Sequence, residues 1–130
     1  MKEFLEKLKI VTLKVIGEEE LPVPTKISFR YSDMGTKTKN GSCCHRRFND
    51  TYSIIINMVK PRYVLDPNGP LLRRSTGEKL RRVTGIVHTK EEVVKTMAHE
   101  LAHLKYWNHD IKHKCYTNHL LEELNKELEA

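Results

Sequence analysis

The residues best suited to do chemistry are His99, Glu100 and His103, which stand in the order His-Glu-Leu-Ala-His. On a helix, positions four apart lie one turn above each other, with Cβ atoms about 5–6 Å apart. Two imidazoles placed so can converge on one zinc ion, which binds histidine nitrogen at about 2.0–2.1 Å. Glu100 is offset around the helix, so its carboxylate can stand beside a metal-bound water without ligating the metal. The chemistry implied is hydrolysis. The metal lowers the pKa of its water towards about 7, and the carboxylate accepts the proton and passes it to a leaving amine.

A catalytic zinc site wants three protein ligands and one open position. His109, ten positions after His99, offers a third imidazole if the chain turns sharply after the helix. Asn108 is the expected residue for a left-handed backbone conformation in that turn. Glu123 is the alternative third ligand, since histidine triads and histidine–glutamate sets both serve catalytic zinc. The short spacing favours His109. His88, His113 and His119 read as surface residues or as supports for the ligands, and His45 as a strand residue. Tyr106, His113, Tyr116 and His119 are the candidates to polarise a carbonyl oxygen. A chain with seven histidines can also meet this spacing by chance. Against chance, the segment reads as buried, where two imidazoles and a carboxylate are costly unless a metal compensates them.

The elements that must position these residues follow from periodicity and punctuation. Thr89, with Glu92 three residues later, forms a capping-box pattern that starts a helix at Lys90. Its apolar residues Val93, Val94, Met97, Ala98, Leu101, Ala102 and Leu104 cover more than one face, so a central, largely buried helix is expected, running to about Trp107. A last helix is expected from about Lys112 to Leu128, and an amphipathic first helix from Lys2 to about Glu20. Between them, Lys26–Ser32, Cys43–Phe48 and Tyr52–Val59 read as strands of an antiparallel meander, with turns at Asp33–Asn40 and Asn49-Asp50. The Ile54-Ile55-Ile56 run suggests burial on both faces. Lys60 to Gly85, broken by Pro61, Pro67, Gly69, Pro70 and Gly77, reads as loop, and Ile86-Val87-His88 as a strand remnant. This loop holds an echo, Leu72-Arg73-Arg74-Ser75-Thr76-Gly77 and Leu80-Arg81-Arg82-Val83-Thr84-Gly85, which is either a hairpin or a basic finger for an acidic partner.

The bulk composition agrees with one compact α+β domain over residues 1–130: a small, mostly antiparallel sheet packed against the zinc helix, with helices at both ends. No apolar run reaches the roughly 20 residues of a membrane span, and the amino-terminal segment lacks a signal-peptide core, so a cytoplasmic protein is expected. Cys43, Cys44 and Cys115 form no CxxC pair, and reduced thiols are expected. The formal charge of +6 is compatible with an acidic partner.

The stretch Met97-Ala98-His99-Glu100-Leu101-Ala102-His103-Leu104-Lys105-Tyr106-Trp107-Asn108-His109-Asp110 resembles the active-site signature of the SprT-like, WLM and YgjP-like metallopeptidases. The resemblance is specific over about Val93 to His113 and loose elsewhere. It implies Zn2+ on His99, His103 and His109, Glu100 as general base, and an edge strand near Gly41 to Phe48 that pairs with an extended protein or peptide substrate. Archaeal minigluzincins are the second match in size and layout, and they would make Glu123 the third ligand. Metzincins are excluded, because Tyr106 stands where they carry glycine and no methionine follows His109. Two rivals remain at this level. One is a nucleic-acid-associated protease of the SprT or WLM kind, with Arg46-Arg47, Arg73-Arg74 and Arg81-Arg82 as contacts. The other is a basic binding module with structural zinc. Latency through a carboxy-terminal tail lying in the cleft is a further expectation.

Overall fold

A computed structural model describes residues 1–31 and 40–129. Three helices and two small sheets form an α+β fold. In chain order these are α1 (Lys2–Glu18), β1 (Lys26–Arg30), β2 (Gly41–Arg46), β3 (Thr51–Asn57), β4 (Val59–Leu65), β5 (Leu71–Leu72), β6 (Lys79–Val87), α2 (Lys90–Ala102) and α3 (Ile111–Glu129). No helix among the described residues is long and apolar enough to cross a membrane.

One core unites the helices with the first sheet. Leu8, Val15 and Ile16 of α1 meet Ile54 and Ile56 of β3, Met97 and Leu101 of α2, and Leu120 and Leu124 of α3, all fully enclosed. Each such side chain contributes about 1.5–3 kcal/mol relative to exposure. The helical period places these apolar positions on one stripe of α1 and of α3. Lys14 and Glu127, 2.7 Å apart, pin the two terminal helices together at the rim. In β3 the pleat sends Ile54 and Ile56 inward and leaves Ile55 half-buried, so only one face is fully covered, not both as expected.

The first sheet has the order β1-β3-β2. β1 runs parallel to β3, with Ile27 opposite Ile54, so the expected antiparallel meander is wrong in its first pairing. β2 pairs antiparallel with β3, and β2 is the edge. It starts and ends two residues earlier than expected, because Arg47 to Asp50 make the turn, with Asp50 at a φ of 51°. Apart from Asn40, the expected turn Asp33–Asn40 lies outside the described residues.

The second sheet, β4-β6-β5, occupies the stretch expected to be loop. The echoed arginine segments fall at its hairpin: Leu72 and Lys79 pair across the β5–β6 turn, and Arg81 and Arg82 continue along β6. β3 and β4 are separate strands because the chain changes sheets at Met58, whose N–H donates to Arg30 O and whose carbonyl accepts from His88 N. α2 then begins on its capping box. Glu92 N–H donates to Thr89 Oγ1, and Thr89 N–H donates to Glu92 Oε1.

Candidate metal centre

α2 ends five residues earlier than expected. After Ala102 the backbone tightens into i→i+3 bonds, from Leu104 N to Leu101 O and from Lys105 N to Ala102 O. The chain then reverses and enters α3, which Asp110 caps by accepting from His113 N at 3.0 Å. Asp110 N also donates to Asn108 O, which closes a tight turn around His109. Among the described residues only Glu20 and Asp50 are non-glycine residues with positive φ, so Asn108 does not serve the turn by a left-handed conformation.

The result is a compact group of imidazoles. His99 Nε2 lies 3.3 Å from His103 Nε2 and 3.1 Å from His109 Nε2, and His103 Nε2 lies 3.0 Å from His109 Nε2. Each ring nitrogen carries one in-plane lobe, either a proton or a lone pair. Three lobes meeting at one place cannot all be satisfied by hydrogen bonds among themselves, whereas a cation satisfies three lone pairs together. Nitrogens spaced 3.0–3.3 Å apart are close enough to share one cation. The donor set therefore fits a metal ion. Among the described residues no further histidine, cysteine, aspartate or glutamate joins this group. Glu123 is outside it, on α3 beside the buried Leu124, and the three histidines meet without it.

Burial lowers the pKa of His99 to about 4, helped by the imidazoles of His113, His103 and His109. Burial, then His113 and His109, also lowers that of His103. Both rings are thus neutral near pH 7, the form in which imidazole ligates a metal. His103 Nδ1 donates to the Tyr106 carbonyl at 3.3 Å, which turns its Nε2 into the group. His113 lies behind this group. It is buried, its Nε2 donates to His99 O at 3.0 Å, and its ring stacks on that of His103 with centroids 4.2 Å apart. It therefore backs the three-histidine group rather than lying at the surface.

Glu100 is enclosed, with Oε1 4.0 Å from His99 Nε2. Both open onto a cleft of about 710 Å³ lined by β2, α2 and the turn that follows α2. Cys43, half-buried on β2, shares this cleft, and its thiol is pushed up to about 12 by burial, then by Glu100 and Cys44. Gly41 brings β2 against α2: a Cβ there would lie 2.9 Å from Thr96 Cγ2 and 3.3 Å from Glu100 Cγ. Asn40 O accepts from Asn57 N, so the register makes Asn40, Ser42, Cys44 and Arg46 the residues bonded to β3. The N–H and C=O groups of Gly41, Cys43 and His45 consequently point away from β3, towards the sheet edge.

None of the four candidates for the oxyanion-polarising role, Tyr106, His113, Tyr116 and His119, lines the cleft. Tyr106 packs edge-on against Tyr116, His119 bonds Glu19, and His113 is behind the three histidines. Trp107, half-exposed, lines the cleft instead, with its ring 6.0 Å from that of His103 and 6.3 Å from that of His45, which itself stacks on Tyr52. An exposed tryptophan just after the ligand helix was the available signal for this shelf. The carboxy-terminal residues do not line the cleft. They continue α3 along α1, where Leu128 O accepts from Lys7 Nζ, so a tail lying in the cleft is not formed by residues up to 129.

Comparison with protein-family models, with curated proteins and with solved structures finds no match for this chain.

Proposed function

We propose that the chain is a zinc-dependent peptidase in which His99, His103 and His109 hold the ion and Glu100 is the general base. The observation that carries this reading is the mutual 3.0–3.3 Å approach of three imidazole nitrogens beside an enclosed carboxylate, both facing one cleft. Bound zinc would supply a Lewis acid that acidifies a water and polarises a carbonyl. Glu100 accepts the proton of the attacking water at its carboxylate and returns it to the departing amine. Burial of Glu100 excludes competing water from that carboxylate. The outward main-chain groups of Gly41, Cys43 and His45 offer an extended peptide the ladder bonds of an added strand. Trp107 and His45 flank the same path as an aromatic shelf for a substrate side chain.

A structural zinc site is usually closed by four protein ligands. The three-histidine group with no fourth protein ligand among the described residues favours catalysis over a structural role. The resemblance of Met97–Asp110 to the SprT-like, WLM and YgjP-like signature points the same way.

Glu100→Gln tests the assignment, since it keeps size and removes the basic carboxylate. Purified wild type and variant should each carry about one zinc per chain. Cleavage of an unfolded protein should fall at least about 100-fold in the variant. Equal residual cleavage by both proteins would mean a contaminating activity and return the site to a structural role.

A further inference from the structure

The second sheet is set apart from the domain in charge and in packing. Residues 59–87 hold seven Lys and Arg against two Asp and Glu, a net +5 out of +6 for the whole chain. The remaining residues are close to neutral, so the basic character of the protein is concentrated on this one arm. Among the described residues no helix packs across the arm. Its tie to the helices is at its root, where Lys60 Nζ lies 3.9 Å from Glu92.

The two faces of the arm differ. Strand alternation and register put Tyr63, Leu65, Leu71 and Leu80 on one face. Leu80, paired with both Leu65 and Leu71, is the buried centre of that small cluster, which holds the arm together. Arg62, Arg81 and Lys79 lie on the other face, and Arg73 and Arg74 extend the stripe around the β5–β6 turn. All five are exposed. Arg81 is paired with Asp66 at 3.3 Å, whereas Arg62, Arg73, Arg74 and Lys79 have no acidic partner among the described residues. From Val83 to Lys79 the strand covers roughly 13 Å. The Arg73-Arg74 turn lengthens that stripe, so its four uncompensated cations can each meet a separate phosphate.

We propose that this arm is a nucleic-acid-binding surface that holds a phosphate backbone along Arg62, Lys79 and the Arg73-Arg74 turn. Uncompensated, exposed cations spaced along one ribbon match a linear polyanion. Phosphate contacts of this kind position a strand without reading its sequence. The proposal stands on charge and packing in the arm and does not depend on the peptidase reading.

The test uses the full chain, with fluorescence anisotropy on labelled single-stranded and duplex DNA and single-stranded RNA. With four phosphate contacts, raising salt from 50 to 200 mM should weaken duplex binding roughly 150-fold and single-strand binding roughly 50-fold. The Arg73→Gln, Arg74→Gln variant, altered only in an exposed turn, should lower the duplex log–log salt slope by about 1.8. Adding Arg62→Gln and Lys79→Gln should remove nearly all of the salt dependence. A matched control, Lys2→Gln, Lys9→Gln, Lys26→Gln and Lys126→Gln, makes the same change in net charge on exposed sites elsewhere and should keep the wild-type slope. The proposal is overturned if no nucleic acid binds at 50 mM salt, or if the control loses as much as the arm variant. It is also overturned if vesicles of anionic phospholipid bind the arm while nucleic acid does not.

Discussion

Substituting Gly41 by alanine adds one methyl group at the contact between β2 and α2. That methyl would meet Thr96 Cγ2 and Ile55 O at 2.9 Å each, and Glu100 Cγ at 3.3 Å. Carbon atoms rest at about 3.5–4.0 Å, so β2 and α2 must separate locally by roughly 0.6 Å or more. Ile55 O is main chain in the paired strand, and Thr96 is β-branched with its hydroxyl bonded to Glu92 O, so neither neighbour yields easily. Overpacking of this kind costs about 1–3 kcal/mol. The three histidines lie on α2 and the turn after it, away from the added methyl, so the variant should keep its metal. Cleavage should fall by up to about 100-fold, because the edge strand and Glu100 shift relative to each other by a large part of an ångström. Denaturant unfolding, metal analysis and a peptide-cleavage assay on the same preparation read the three quantities. Thr96→Ser removes the methyl that Gly41→Ala would strike. Added to the alanine variant, it should recover about half of the lost stability, with Ile55 O left as the remaining clash. A Gly41→Ala protein with wild-type stability and cleavage would refute the claim that β2 seats against Glu100. Loss of metal in that variant would refute the independence of the histidine group.

Three further outcomes are expected. His109→Ala should lose metal affinity far more than Glu123→Ala, by competition with a chromogenic chelator, and the reverse order would move the third ligand to α3. His113→Ala should weaken metal binding about 10–100-fold without removing a ligand, and His113→Gln should restore part of it by donating again to His99 O; equal affinity in all three proteins would deny His113 a positioning role. The Glu92 carboxyl is held down at about 2, first by the Thr89 N–H, then by His88 and the Thr89 hydroxyl. A depressed carboxylate stabilises the fold above its ordinary pKa near 4.5 and loses that contribution as pH falls through about 2. Carbon-detected NMR titration should therefore place Glu92 near 2, and Thr89→Ala should raise that midpoint while costing about 1 kcal/mol through loss of the cap.

Local chemistry made much of the site legible in the sequence. Thr89 and Glu92 cap each other within three residues, so the start of α2 needs no tertiary information. The four-residue spacing of His99 and His103 then puts both rings on one side, and Glu100 necessarily sits between them in sequence and beside them in space. The apolar stripes of α1 and α3 also follow from their own periodicity. Other features depend on how distant segments meet. That His109 rather than Glu123 comes close to His99 and His103 rests on where α2 stops and α3 starts, which the tightened turn after Ala102 and the Asp110 cap decide together. His113 looks like any polar residue until α3 packs on α2 and buries it behind His99 and His103. β1 runs parallel to β3 because the intervening β2 takes the opposite edge of β3, and strand alternation carries no mark of direction. The second sheet was masked by its prolines and glycines and by its solvent-facing residues, since a ribbon with one small cluster around Leu80 lacks the apolar pattern of a buried strand. Its concentration of charge was present in the sequence, but only the pairing of β4, β5 and β6 aligns Arg62, Arg81 and Lys79 on one face.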